Sequence, residues 1–163
     1  MKEKIIILDF GSQYTQLIAR RIRELNVYCE IRPFNKIGII DESVKGVILS
    51  GSPFSVRDKN APIPDLKQIK GRIPVLGICY GAQYLSHFFG GEVAPSATRE
   101  YGRANLIING ASSKLFKGVS GSSQVWMSHG DTIVKLPQGY TIAGSTENVS
   151  IGAFEITGEN TYG

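Results

Sequence analysis

The sequence predicts a doubly wound, mostly parallel α/β sheet carrying a nucleophile elbow, with a small antiparallel layer at its end. Three observations carry that prediction. The apolar runs Ile5-Ile6-Ile7-Leu8 and Val75-Leu76-Gly77-Ile78 have the character of strands buried on both faces. Glycine and a helix-like pattern follow each run, which sets up a strand–helix rhythm through about residue 89. Beyond Gly90-Gly91 the rhythm gives way to short alternating segments, the pattern of antiparallel strands.

Taken in order, residues 4–10 form the first strand, and Gly11-Ser12 opens a helix that runs to residue 25. Leu17, Ile18, Arg21, Ile22 and Leu25 recur in it at helical spacing. The second and third strands lie at 28–34 and 46–50. A loop with Gly51-Ser52-Pro53-Phe54-Ser55, Pro62 and Pro64 follows, with a short helix near 65–70. The fourth strand, 75–78, leads into a helix from 81 to about 89. The second half offers strands at 103–108, 123–127, 140–145 and 151–156, with a helical turn at 114–118. No repeat, low-complexity tract or linker interrupts the 163 residues, so the whole chain reads as one domain. In such a sheet, ligands gather at the carboxyl ends of the strands.

Composition narrows the function. With 42% hydrophobic and 20% charged residues the chain has the make-up of a soluble globular protein. The formal charge of +4 is dispersed, apart from Arg20, Arg21 and Arg23 in the last turns of the first helix, where cations suit the dipole. No basic and aromatic stripe supports nucleic-acid binding. Nothing resembles a signal peptide, and no apolar stretch approaches the ~18 residues of a membrane span. The two cysteines, Cys29 and Cys79, make no disulfide framework, which points to a reducing, cytoplasmic setting. His87 and His129, without a Cys-x-x-Cys pair, give no reason to expect a metal site.

The chemistry concentrates at Gly77-Ile78-Cys79-Tyr80-Gly81-Ala82-Gln83. A strand turning sharply into a helix through Gly-x-Cys-x-Gly lifts its middle side chain above the sheet. At a helix N-terminus the unpaired N–H groups and the dipole favour the Cys79 thiolate, a nucleophile suited to acyl transfer. The competing interpretation is a core cysteine beside a tight turn. Acyl transfer also needs two donors at the oxyanion. The N–H of Ser52, in the loop after the third strand, and the N–H of Tyr80 are the candidates. Gln83, four residues past Cys79, shares its helix face and either binds a polar substrate or sits in solvent.

Trp126-Met127-Ser128-His129-Gly130-Asp131 invites a Cys79, His129, Asp131 triad, but triad members come from separate elements, and an Asp two residues from a His cannot easily orient its ring. Ser128, Gly130 and Asp131 instead suit a polar pocket wall. His129 stays open between general base, pocket wall and structural residue; His87, two turns along the second helix from Cys79, is structural.

These motifs resemble the class I, triad-type glutamine amidotransferases. The nucleophile motif is joined by Ile7-Leu8-Asp9-Phe10-Gly11-Ser12-Gln13-Tyr14, Arg99-Glu100-Tyr101-Gly102-Arg103-Ala104 and Val125-Trp126-Met127-Ser128-His129-Gly130-Asp131, which point to the branch found in GMP synthetases. The resemblance covers essentially all 163 residues. It implies a flavodoxin-like fold and hydrolysis of glutamine through a Cys79 thioester. It further implies oxyanion donors at Ser52 and Tyr80, and glutamine contacts from Gln83, Ser128, Gly130 and Asp131, the last through the α-amino group. No cofactor is implied for this domain. Ammonia would pass to a separate ATP-pyrophosphatase domain that uses ATP and Mg to convert XMP to GMP, in a protein that is homodimeric at full length.

Two departures follow from the comparison with that pattern. The family's Ser-Gly-Gly-Pro loop reads Ser50-Gly51-Ser52-Pro53 here, which matters if position 52 needs a backbone that only glycine adopts cheaply. The family's catalytic His and Glu lie in a Phe-His-Pro-Glu segment after a Tyr-Gly pair, and this sequence stops at Tyr162-Gly163. The expectation is a fragment with its triad incomplete, slowed about 10² to 10⁴-fold for want of a general base, and with its final strand an open edge. Other expectations consistent with the residues are a different flavodoxin-like thiol hydrolase, or a non-catalytic module that holds glutamine or a synthetase subunit.

Overall fold

The computed structural model describes residues 2–110 and 113–163; the side chains of residues 98–100, and with them part of the Arg99-Glu100 motif, lie outside that description. Five parallel strands run in the order β2 (Cys29–Pro33), β1 (Lys4–Asp9), β3 (Val44–Leu49), β4 (Val75–Gly77) and β9 (Thr161–Tyr162). This is the 2-1-3-4-5 order of flavodoxin-like sheets, whose switch point falls between β1 and β3. β8 (Ala153–Ile156), β7 (Tyr140–Ser145), β5 (Glu92–Ile108) and β6 (Ser122–Lys135) continue the same sheet in antiparallel fashion. The expected antiparallel part is therefore joined edge to edge with the parallel part, through hydrogen bonds between β8 and β9.

Side-chain alternation explains why the interior of β1, Ile5 to Leu8, is apolar without a break. Ile6 and Leu8 face one core, with Val47, Leu49, Val75, Phe154 and the residues Tyr84 and Leu85 of α2 (Tyr80–His87). Ile7 faces the other, with Cys29 and with Ala19 of α1 (Thr15–Glu24). Covering both faces of a parallel strand removes any polar position from it. Cys29 is buried there, its thiol donating to the Ala19 carbonyl at 3.5 Å, so it is a core cysteine.

Several expected details change. α1 packs through Thr15, Ile18, Ala19 and Ile22, whereas Leu17 and Leu25 are 45% and 75% exposed. In place of the helix expected at 65–70, residues 67–72 form a succession of turns, held by Ile69 and Lys70 N–H groups donating to the Leu66 carbonyl. The helical turn at 114–118 is a 3₁₀ turn, Lys114–Phe116. β9 is no open edge. It lies between β4 and β8 with Thr161 fully buried, and the outer strands of the sheet are β2 and β6. Among the described residues no helix is long and apolar enough to cross a membrane.

Candidate functional site

The switch-point end of the sheet is built by ties between successive strand ends. Ser50, fully buried after β3, donates its N–H to the Leu8 carbonyl at 3.1 Å and accepts the Phe10 N–H on Oγ at 3.1 Å. The loops after β1 and β3 are thereby locked together. The Ile78 N–H then donates to the Leu49 carbonyl at 2.9 Å, and the Gly81 N–H to the Ser50 carbonyl at 3.1 Å, bringing the turn after β4 into the same cluster. α2 is anchored from behind, where the buried Tyr80 and Tyr84 hydroxyls donate to the Pro62 and Pro64 carbonyls at 2.6 and 3.0 Å. Proline carbonyls keep full acceptor capacity, so the proline-rich loop satisfies hydroxyls that would otherwise be stranded in the core.

Cys79 sits at the top of this turn with φ 53° and ψ −110°. Among the described residues it shares positive φ only with Asn26 among non-glycines. Such a backbone costs about 1–3 kcal/mol for a residue with a Cβ, and it persists only where the surroundings enforce it. The flanking glycines enforce it by allowing close approach. A Cβ on Gly81 would stand 2.5 Å from the Leu49 carbonyl oxygen, and one on Gly77 2.6 Å from the Ala82 nitrogen. The elbow predicted from Gly-x-Cys-x-Gly is thus present, with the strain on the cysteine itself.

All seven sequence-predicted site residues line one cleft of about 660 Å³: Ser52, Cys79, Tyr80, Gln83, Ser128, Gly130 and Asp131. A second depression of about 940 Å³ adjoins it, sharing Ser52, Cys79, Tyr101 and Ser128 and reaching Ser12, Tyr14 and Trp126. The Cys79 sulfur lies 3.9 Å from the Ser128 carbonyl oxygen, so β6 forms the wall opposite the elbow. The Ser50–Pro53 loop closes the other side; a Cβ on Gly51 would be 3.7 Å from that of Cys79. Ser52 is outside the positive-φ region, so the serine in place of glycine costs nothing in backbone terms. The N–H groups of Ser52 and Tyr80 donate to no oxygen among the described residues, and that of Tyr80 faces the Cys79 sulfur.

Opposing effects act on the Cys79 thiol. Although the residue is exposed at the cleft, loss of water around its sulfur pushes the thiol above its ordinary range. The Tyr80 N–H pulls it back in part, and the Asp131 carboxylate adds to the rise. Loss of water thus outweighs the Tyr80 N–H, a balance that favours the thiol and leaves its proton to be taken up as it attacks.

Asp131 is the hub of the β6 wall. Its backbone carbonyl accepts from Gln83 Nε2 at 3.0 Å and pairs with His129 Nδ1 at 2.8 Å. Gln83 is consequently buried and ties α2 to β6, whereas sequence leaves it open between substrate contact and solvent. The Asp131 carboxylate bonds to the Ser55 hydroxyl and, at 3.2 Å, to Arg57 Nη2. His129 thus meets the Asp131 backbone, not its carboxylate, and a local Cys79, His129, Asp131 triad is not assembled. Ser55, Arg57 and Tyr101 also line the cleft, and the motifs do not single them out as site residues. For the first two a signal exists in Ser55-Val56-Arg57, a polar and cationic pair one residue beyond the Ser50–Pro53 loop.

Comparison with known proteins gives a consistent picture. Residues 6–163 match the family described as Glutamine amidotransferase class-I. The chain is 61% identical to GMP synthase (glutamine-hydrolyzing) of Cytophaga hutchinsonii and 58% identical to that of Bacteroides fragilis, over 163 residues in each case. All of the chain is covered, but it spans only 32% of the length of each of these relatives. Among solved structures, a candidate GMP synthase subunit from Thermoplasma acidophilum superposes with a TM-score of 0.81 at 28% identity, over 99% of this chain and 82% of that one. A glutamine amidotransferase from Thermotoga maritima has the same fold, with a TM-score of 0.77 at 21% identity, over 100% and 74% of the two chains.

Proposed function

The chain belongs to the class I glutamine amidotransferase family, and from that premise we propose that it is the glutaminase domain of a GMP synthase. The observation that carries the proposal is the strained Cys79 elbow, set in a cleft that the Ser52–Pro53 loop and the N-terminal turn of α2 close around the sulfur. Cys79 Sγ attacks the side-chain amide carbon of glutamine and its proton passes to the departing ammonia. The tetrahedral oxyanion is held by the Ser52 and Tyr80 N–H groups. Water then hydrolyses the γ-glutamyl thioester to glutamate and returns the thiol. Gln83, Ser128, Gly130 and Asp131 form the wall that seats the amino-acid end of the substrate.

The raised thiol calls for a proton acceptor, which we place in the additional length that the relatives possess. β9 runs parallel to β4 and beside it, so residues continuing from it would emerge on the edge of the sheet that carries Cys79. In this proposal the chain is the amidotransferase domain. The remaining length holds the ATP-pyrophosphatase and dimerisation parts, where ammonia, ATP and XMP give GMP in a homodimeric, cytoplasmic enzyme. The test is glutamate release from glutamine by residues 1–163 and by the chain lengthened by about 30 to 40 residues, one or two further elements. Release from the lengthened chain alone supports the proposal. Equal release from both would return the role of base to His129, and release from neither would refute a glutaminase.

A further inference from the structure

The cleft beside Cys79 holds an ion pair that nothing in the acyl-transfer chemistry uses. Arg57 Nη2 stands 3.2 Å from Asp131 Oδ1, and the Ser55 hydroxyl bonds to the other carboxylate oxygen. The segment that carries Arg57 is fixed by its own turn. The Ser55 N–H donates to Asp58 Oδ2 at 2.7 Å, and the Arg57 N–H donates to Ser55 Oγ at 3.1 Å. Side-chain exposures of 41% for Arg57 and 14% for Asp131 leave the pair in reach of solvent, where such a contact contributes only about 0–1 kcal/mol to stability. A fold clamp is therefore a poor account of it. The guanidinium fork has five N–H donors matched to a carboxylate, and among the described residues one of them is committed to a side chain, Asp131. A positive and a negative group in one cleft with a nucleophile match the two charged groups of an α-amino acid.

We propose that Arg57 is a specificity-determining residue of the cleft: paired with Asp131 while the site is empty, it turns to the α-carboxylate of the substrate as the α-ammonium engages Asp131. The inference rests on the reading of the cleft as a glutamine site, and it adds what makes that site select a zwitterion over a simple primary amide. A site built to pair a charged group discriminates strongly against an analogue without it, because its own group is then left unpaired.

The test uses the protein at its natural length and two diazoketone analogues of glutamine, one intact and one lacking the α-carboxylate. In each, the Cys79 sulfur displaces dinitrogen, forming an S–CH₂ bond as the thiol proton moves to the former diazo carbon. Labelling is read by mass. Iodoacetamide, which carries no amino-acid end, reports the intrinsic reactivity of Cys79. Arg57→Ala is expected to slow labelling by the intact analogue at least about tenfold, to leave the decarboxylated analogue and iodoacetamide within twofold, and to erase the preference between the two analogues. Arg57→Lys, which retains the charge, is expected to restore part of that preference. The proposal is overturned if Arg57→Ala labels with the intact analogue at the unsubstituted rate, or if both analogues slow equally, which would make Arg57 a holder of Asp131 alone. If the unsubstituted protein takes iodoacetamide on Cys79 but neither analogue, the glutamine reading falls together with the proposal.

Discussion

The two parts of the sheet that meet at Cys79 are built on different terms. In β1 the consecutive residues Ile6, Ile7 and Leu8 are all fully buried, because helices cover both faces. Along the fourteen residues of β6, Ile133 alone is buried, and Trp126 is 71% exposed. The parallel part has no freedom to relax, so it can hold a cysteine at φ 53°. The antiparallel part is held along β5 by its backbone ladder but leaves its side chains half exposed, and it presents to the cleft a polar wall whose side-chain bonds converge on Asp131. Strain belongs where packing over-determines the backbone, and recognition belongs where side chains remain available to a ligand.

The most severe way to break this contrast is to remove the strain together with the nucleophile. Cys79→Gly is expected to abolish glutamine hydrolysis, by at least about 10³-fold, because no other group in the cleft can form the thioester. It should at the same time stabilise the fold by about 1 kcal/mol, since glycine adopts this backbone without penalty. Activity assays and urea unfolding on the same preparation test both halves. Unchanged or lower stability would mean that the elbow is unstrained.

Glycine substitutions compare the two parts directly. Gly81→Ala would drive a methyl to 2.5 Å from the Leu49 carbonyl oxygen and 2.6 Å from its Cβ, and the Leu49 backbone, at the end of β3, is pinned between β1 and β4. A loss of about 3 kcal/mol or more is expected. Gly121, just before β6, has open space around it and no positive φ, so Gly121→Ala should shift stability by less than about 0.5 kcal/mol. Thermal melts of the two variants that coincide would remove the claimed difference in packing.

The pH dependence of Cys79 alkylation is the next, smaller effect. A thiol pushed upward by desolvation is mostly protonated at neutral pH, so the thiolate fraction climbs about tenfold per unit as pH rises toward its midpoint. Iodoacetamide rates should therefore rise about tenfold from pH 7 to 8 and still be rising at pH 9. A plateau below pH 8 would show that the helix N-terminus, and not loss of water, governs the sulfur.

Legibility in the sequence follows the same division. β1 and the elbow are readable because burial on both faces leaves an unbroken apolar run, and because steric need fixes Gly77 and Gly81 on either side of Cys79. β7 lies at its expected bounds, but β5 and β6 extend over seventeen and fourteen residues where the sequence pattern predicts six and five. Half-exposed strands tolerate polar residues, so Pro95, Gly102 and Ser128 mask their length. β9 is two residues long and owes its place to its neighbours β4 and β8, which no local pattern records. The stripe on α1 differs from the expected one because Ala19 and Thr15, small and half-polar, make the contact while the larger Leu17 and Leu25 face outward. Motif and spacing bring out seven residues that the structure gathers along one cleft. The partners of Asp131, which lie 76 and 74 positions away at Ser55 and Arg57, are purely tertiary.

The smallest effect tests the loop that faces the elbow. Ser52 adopts a backbone open to any residue, and its hydroxyl accepts the Phe54 N–H at 3.2 Å, bracing the turn that aims the Ser52 N–H. Ser52→Gly keeps the N–H that we propose holds the oxyanion while removing this brace and loosening the unfolded chain. Stability should fall by about 0.5–1 kcal/mol, the usual cost of an added glycine, with kcat for glutamine changed by less than threefold. Ser52→Pro, which deletes the N–H, should instead lower kcat by about 10²-fold, as losing one oxyanion donor does. If serine-to-glycine were as damaging as serine-to-proline, the hydroxyl rather than the backbone would be the group acting on the substrate, and the cleft would have polar side chains on both of its walls.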